Sequence, residues 1–92
     1  MINSFADKDT QKLFELRSSK RYSAIQRIAV RKLLMLHSAA HIKDLRAPPG
    51  NQLEALIGDR KGQHSIRVNR QWRICFNWNE GEIENVEICD YH

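Results

Sequence analysis

The hydrophobic pattern of this chain changes period once, at Pro48-Pro49-Gly50, and that change restricts the fold class more than any other feature. Before it, Ile25, Ile28, Ala29, Leu33 and Leu36 recur at helical spacing and predict a buried stripe on one helix. Prolines in tandem with a glycine cannot continue a helix, so residues 41–52 read as a connecting loop. After it the period is two. His64, Ile66 and Val68 alternate with Ser65, Arg67 and Asn69, and Trp72, Ile74, Phe76 and Trp78 alternate with Arg73, Cys75 and Asn77.

Local signals place the remaining elements. MINSF predicts a short opening strand, and Asp7 is suited to cap a helix over 8–17 with Leu13, Phe14 and Leu16 as its apolar side. Ser23-Ala24-Ile25-Gln26 has the form of a capping box opening the second helix. LEALI (53–57) predicts a strand and GDRKG (58–62) a turn. Asn79 to Glu82, centred on Gly81, predicts another turn, and Ile83 to Tyr91 the last strand. The expected class is α+β, with an N-terminal strand and two helices packed on one face of a small, mainly antiparallel sheet.

Size and composition narrow the function classes. Ninety-two residues predict a single domain, 1–92, with one modest core and no room for an enclosed cofactor cavity. No stretch approaches the roughly 18–20 apolar residues of a membrane span, and the N-terminus has neither the basic nor the apolar region of a secretory signal. A cytoplasmic location with no membrane association is expected. Two cysteines, Cys75 and Cys89, are too few for a disulfide scaffold, and His37 and His41 have no companion ligands. Neither a metal site nor a cofactor is expected.

The net charge of +4 is unevenly distributed. Residues 1–46 carry ten Lys/Arg against four Asp/Glu, whereas residues 47–92 carry five against seven. Arg60, Lys61, Arg67, Arg70 and Arg73 come without an acid among them, and Glu80, Glu82, Glu84, Glu87 and Asp90 follow. Basic blocks of this kind suit a polyanionic partner, because neutralised phosphates release counterions. They also suit a merely soluble surface. Strand alternation selects among the cations. If Trp72, Ile74, Phe76 and Trp78 face the helices, Arg73 and Arg67 project from the opposite, open face as a phosphate clamp. The competing expectation is cross-strand pairing of these arginines with Glu84 or Glu87. On a uniformly apolar face, Trp72 and Trp78 read as core residues.

The chain ends Asp90-Tyr91-His92, which offers a carboxylate, a phenol and an imidazole at the end of the last strand. RNA cleavage through the 2′-OH needs a base, cations for the phosphorane and an acid for the leaving 5′-oxygen, and the nucleophile is internal to the substrate.

PPGNQLEAL, GDRKGQHSIRVNRQWRICFNW and VEICDYH together resemble the HigB-type toxins of the RelE/ParE toxin–antitoxin superfamily, over nearly the whole chain. The resemblance implies a RelE-like, microbial-ribonuclease-like fold and ribosome-dependent cleavage of mRNA in the A site. It also implies a HigA-type helix-turn-helix antitoxin, with operator DNA contacted only through that partner. Asp90, Tyr91, His92 and Arg73 match the family's active-site positions, with His92 as base or acid, Tyr91 orienting and Arg73 stabilising the transition state. Arg67, Arg70, Lys61 and Arg60 would hold 16S ribosomal or messenger RNA backbone. Two positions depart: members carry a histidine and a lysine where this chain has Glu54 and Ile57. Glu54 would replace the histidine as base, or stand as a surface carboxylate. Alternatives from other classes are a gyrase-poisoning toxin on the same scaffold and a non-catalytic basic RNA- or DNA-binding module.

Overall fold

The computed structural model describes residues 1–90, and Tyr91 and His92 lie outside the described residues. Two helices, α1 (Lys8–Leu16) and α2 (Gln26–Ser38), precede strands β1 (Glu54–Ala55), β2 (Gln63–Arg67), β3 (Trp72–Asn79) and β4 (Glu82–Asp90). The strands form one antiparallel sheet in the order β1-β2-β3-β4. The expected α+β class is what the chain adopts.

Asp7 caps α1 as its sequence position suggests, accepting from the Thr10 amide at 2.6 Å and the Thr10 hydroxyl at 3.1 Å. That hydroxyl in turn accepts from the Ile88 amide at 3.1 Å, so the cap also ties α1 to β4. The helix ends at Arg17, which takes a left-handed conformation (φ 59°). Of its predicted apolar side only Leu13 is fully buried; Phe14 is half-buried, and Leu16, in the last turn, is exposed.

The start of α2 differs from the capping-box expectation. The helix begins at Gln26 with no side-chain cap, because the Gln26 side chain turns away to accept from the Ser19 amide at 3.1 Å. Its buried stripe runs Ile25, Ala29, Leu33, Leu36. Ile28, expected in that stripe, is 41% exposed. One residue of helix is about 100° of rotation, and the neighbour Ala29 already occupies the inward direction.

The first five residues bridge β4 in parallel at Ile2↔Ile83 and Phe5↔Val86 without building a continuous ladder. Four amide–carbonyl bonds of 2.7–3.1 Å, made by Met1, Asn3, Ser4 and Ala6, hold this segment there. The connection before the sheet is more ordered than a loop. It holds two 3₁₀ turns, Ile42–Arg46 and Pro49–Asn51. Buried Asn51 donates to the carbonyls of Leu45 (3.1 Å) and Ala47 (3.3 Å) and accepts from Lys32 on α2. Burial, followed by the nearby Arg31 charge, lowers the Lys32 ammonium below its ordinary pKa. The expected strand over 53–57 contracts to Glu54–Ala55, because pairing with β2 ends before the 3₁₀ turn at Gly58–Arg60.

Leu13, Ala29, Leu33, Leu36 and Leu45 pack with Ile66, Ile74, Phe76, Ile83 and Val86 of the sheet. Trp72 and Trp78 pack against this core, as expected. The opposite sheet face carries Ser65, Arg67, Arg73 and Cys75.

Candidate functional site

Register places the polar face in cross-strand rows. Glu54 pairs with Ser65 and Ser65 with Cys75, while Arg67 pairs with Arg73 and Arg73 with Cys89. Glu54 and Arg73 therefore sit on neighbouring rows of one face. The β2–β3 turn brings in a third cation. Asn69 folds that turn by accepting from the amides of Gln71 (2.9 Å) and Trp72 (2.8 Å), and Arg70 sits at its tip. The result is a cleft of about 410 Å³ lined by Gln52, Glu54, Arg67, Asn69, Arg70 and Arg73.

Arg73 is where the open-face expectation fails. It lies on the predicted face but is only 4% exposed, because the strap at Gln52–Glu54 roofs it. Its Nε donates to Ser65 Oγ at 2.7 Å, and its Nη2 donates to the carbonyls of Gln52 and Ser65. Nη2 also lies 3.4 Å from Glu54 Oε1. A buried guanidinium is tolerated only when its donors are matched in this way. Among the described residues the ion pair of Arg73 is with Glu54 on the first strand, where Glu84 or Glu87 was expected. Glu54 is accordingly part of the cleft and not an isolated surface carboxylate.

Glu87 binds a different cation. Arg60, the last residue of the Gly58–Arg60 turn, ion-pairs with Glu87 Oε1 at 2.9 Å and donates to Gln63 Oε1 at 2.9 Å. Burial pulls its pKa down, and the Glu87 hydrogen bond, together with the charges of Cys89, Cys75 and Glu87, outweighs that and leaves it raised. Arg60 thus faces a second groove, of about 250 Å³, lined also by Leu56, Ile57, Cys75, Cys89 and Asp90. Asp90 is exposed at the edge of this groove and accepts from Gln71 Nε2 at 3.1 Å. The two thiols act on each other. Hydrogen bonding from Cys89, helped by Arg60, lowers Cys75, whereas Cys89 is pushed up by the same neighbour and by burial.

Of the predicted site residues, Glu54, Arg67, Arg70 and Arg73 converge on one cleft, and Arg60 and Asp90 on the adjoining groove. Lys61 is exposed beside the turn and lines neither. Tyr91 and His92 fall outside the described residues. Sequence reasoning missed Ser65, Gln52 and Asn69. Ser65 carried a signal, being the outward small polar residue directly across from Glu54, and so did Asn69, a turn-forming residue two before Gln71. Gln52 acts through its carbonyl, for which no side-chain signal exists.

The family described as "RelE-like toxin of type II toxin-antitoxin system HigB" matches over residues 3–92. Toxin HigB-1 of Vibrio cholerae serotype O1 is 42% identical over 92 residues, covering 96% of this chain and 95% of that protein. Endoribonuclease HigB of Proteus vulgaris is 35% identical over 94 residues and is covered, like this chain, to 100%. Among solved structures, a heterotetrameric YoeB–YefM toxin–antitoxin complex from Staphylococcus aureus shares the fold, with a TM-score of 0.62 at 17% identity over 100% of this chain and 98% of that one. With a family match spanning nearly every residue and relatives of this similarity, the chain belongs to the HigB-like toxins, the RelE-like toxins of type II toxin–antitoxin systems.

Proposed function

We propose that this toxin is a ribosome-dependent endoribonuclease that cleaves mRNA in the A site by metal-independent acid–base chemistry at the 2′-OH. One observation carries the reading: a carboxylate and three guanidiniums share one open cleft on a rigid sheet face. That is the equipment for activating a hydroxyl and stabilising a pentacoordinate phosphate. The name of the Proteus vulgaris relative supports the activity.

In this mechanism Glu54 accepts the proton of the 2′-OH as it attacks the adjacent phosphorus. Arg73, fixed by Ser65 and the Gln52 carbonyl, meets the charge that develops on the phosphorane. A guanidinium held in place needs no reorganisation as charge appears, which is where preorganised donors are most effective. Arg67 and Arg70 hold the flanking phosphates. His92 protonates the departing 5′-oxygen, with Tyr91 and Asp90 orienting it. A HigA-type helix-turn-helix antitoxin neutralises the toxin and carries it to operator DNA. The YoeB–YefM complex, a toxin of this fold bound to its antitoxin, supports such a partner.

Inducible expression with mapping of mRNA 5′ ends tests the reading. Wild type should produce new ends inside translated codons, and Arg73→Ala and His92→Ala should each lower their yield by about 100-fold or more. Equal toxicity in all three proteins with no new ends would refute nuclease action, and broken DNA in place of broken mRNA would point to gyrase.

A further inference from the structure

The positive charge of the helical half is only partly matched within the molecule. From Leu16 to Lys43 the chain runs 28 residues without an acid and carries seven Lys/Arg. Three of these have internal partners: Arg17 lies 5.1 Å from the Phe14 ring centroid, Arg21 pairs with Asp9 at 3.3 Å, and Lys32 bonds Asn51. Arg27 and Arg31, both exposed on α2, have no hydrogen-bond or ion-pair partner among the described residues.

Their placement costs α2 stability. Arg27 stands in the first turn, where the helix dipole favours an anion, and that turn has neither an acid nor a side-chain cap. Arg31 follows one turn later, at the i, i+4 spacing where like charges repel. At about 100° per residue, Arg27, Arg31, Leu34 and Ser38 fall within about 60° of one another, with Ile28 about 60° beyond Arg31. Ile28 is 41% exposed and Leu34 37%. A face kept only for solubility mixes charge signs and leaves out large apolar groups. This one joins unmatched cations to exposed aliphatic side chains, on the side of the sheet away from the cleft.

We propose that the outer face of α2 seats an acidic, aliphatic-bearing segment of the antitoxin. Carboxylates of that segment meet Arg27 and Arg31, and its apolar side chains cover Ile28 and Leu34. The proposal rests on the antitoxin partner named above and assigns its seat on this chain. RNA is the competing occupant, and it would match the two cations while leaving Ile28 and Leu34 in water. The same face of a second copy would set cation against cation. An acidic amphipathic segment satisfies both kinds of group, and its charge offsets what Arg27 and Arg31 cost the helix.

Isothermal titration of the purified toxin with the protein encoded by the adjoining gene tests this. At about 50 mM salt, Arg27→Glu with Arg31→Glu should weaken binding about 10-fold or more, and the loss should shrink as salt rises. Leu34→Ser should weaken it about 5-fold at every salt concentration, because an apolar contact is not screened. The charge reversal puts an acid into the first turn of α2, so its melting temperature should hold or rise, which separates lost binding from lost folding. Binding by the charge-reversed toxin equal to that of wild type would overturn the seat on α2 and leave the antitoxin reading standing. Loss of ribosome binding by that variant with antitoxin binding intact would give the face to RNA and overturn the proposal. Self-association of the toxin that the reversal abolishes, again with antitoxin binding intact, would give it to a second copy and overturn it equally. No binding of the adjoining gene's product to wild type would overturn the partner reading together with its seat.

Discussion

At the scale of single residues, the site depends on how Arg73 is held. Its Nε donates to a hydroxyl, Ser65 Oγ, that is itself fully buried, so no water can take over if that acceptor is removed. A hydrogen bond to a charged group in such a place is worth about 1.5–3 kcal/mol. Ser65→Ala should therefore lower the unfolding free energy by that amount in urea titration. It should also slow mRNA cleavage by about 10-fold while ribosome binding persists, because the guanidinium stays charged but loses its fixed direction. Stability and cleavage both unchanged would mean that Ser65 does not position Arg73. The alternation Trp72, Ile74, Phe76, Trp78 put Arg73, together with Arg67, on the face opposite the helices, and the family resemblance singled out Arg73. Its burial was not legible, because the roof comes from Gln52, 21 residues away in the chain, through a backbone carbonyl. Periodicity reports which face a side chain takes, and it is silent on what later covers that face.

Among the elements, the longest misreading concerns the connection between α2 and β1. Pro48-Pro49-Gly50 marks where the helix cannot continue, and that inference holds, but the segment is not a passive loop. Asn51 gathers two carbonyls of the connection and the Lys32 ammonium of α2 into one buried node. The next residue is Gln52, whose carbonyl meets Arg73, so the node also sets the height of the roof over the cleft. Asn51→Ala strands these groups, and a buried donor or acceptor left unmatched costs about 1–3 kcal/mol. The expected result is a loss of roughly 2–4 kcal/mol in chemical denaturation with the urea dependence unchanged, together with reduced cleavage. A loss under about 0.5 kcal/mol, the ordinary range for surface substitutions, would remove Asn51 from that role. An asparagine after Pro-Pro-Gly looks in sequence like any turn residue. Only the arrival of Lys32 from another element distinguishes it. The strands behaved differently: β2, β3 and β4 were read nearly to their ends because alternation is a local signal, whereas β1 shrank because its length depends on how far β2 extends to meet it.

For the whole molecule, the charge imbalance between the two halves of the sequence becomes a separation between faces. The helices cover one side of the sheet, with Arg27 and Arg31 exposed on α2, while Arg67, Arg70 and Arg73 gather on the other side. The molecule measures 30 × 27 × 26 Å, and the screening length at physiological salt is about 8 Å, so the helical cations act little on an anion in the cleft. The net charge of +4 therefore overstates the field of the helix side at the cleft and says nothing of the field made by three clustered guanidiniums. Each phosphate contact to single-stranded RNA contributes about 0.7 to the slope of log affinity against log salt concentration. If the cleft faces the message, Arg67→Ala with Arg70→Ala should lower that slope by about 1.4 in ribosome-binding titrations from 50 to 200 mM salt. Arg27→Ala with Arg31→Ala should change it by less than about 0.5, since those cations stand beyond the screening length. Equal effects of the two pairs would mean that both faces contact RNA. Docking would then be set by the helices as much as by the sheet, and the cleft would not be the principal electrostatic contact.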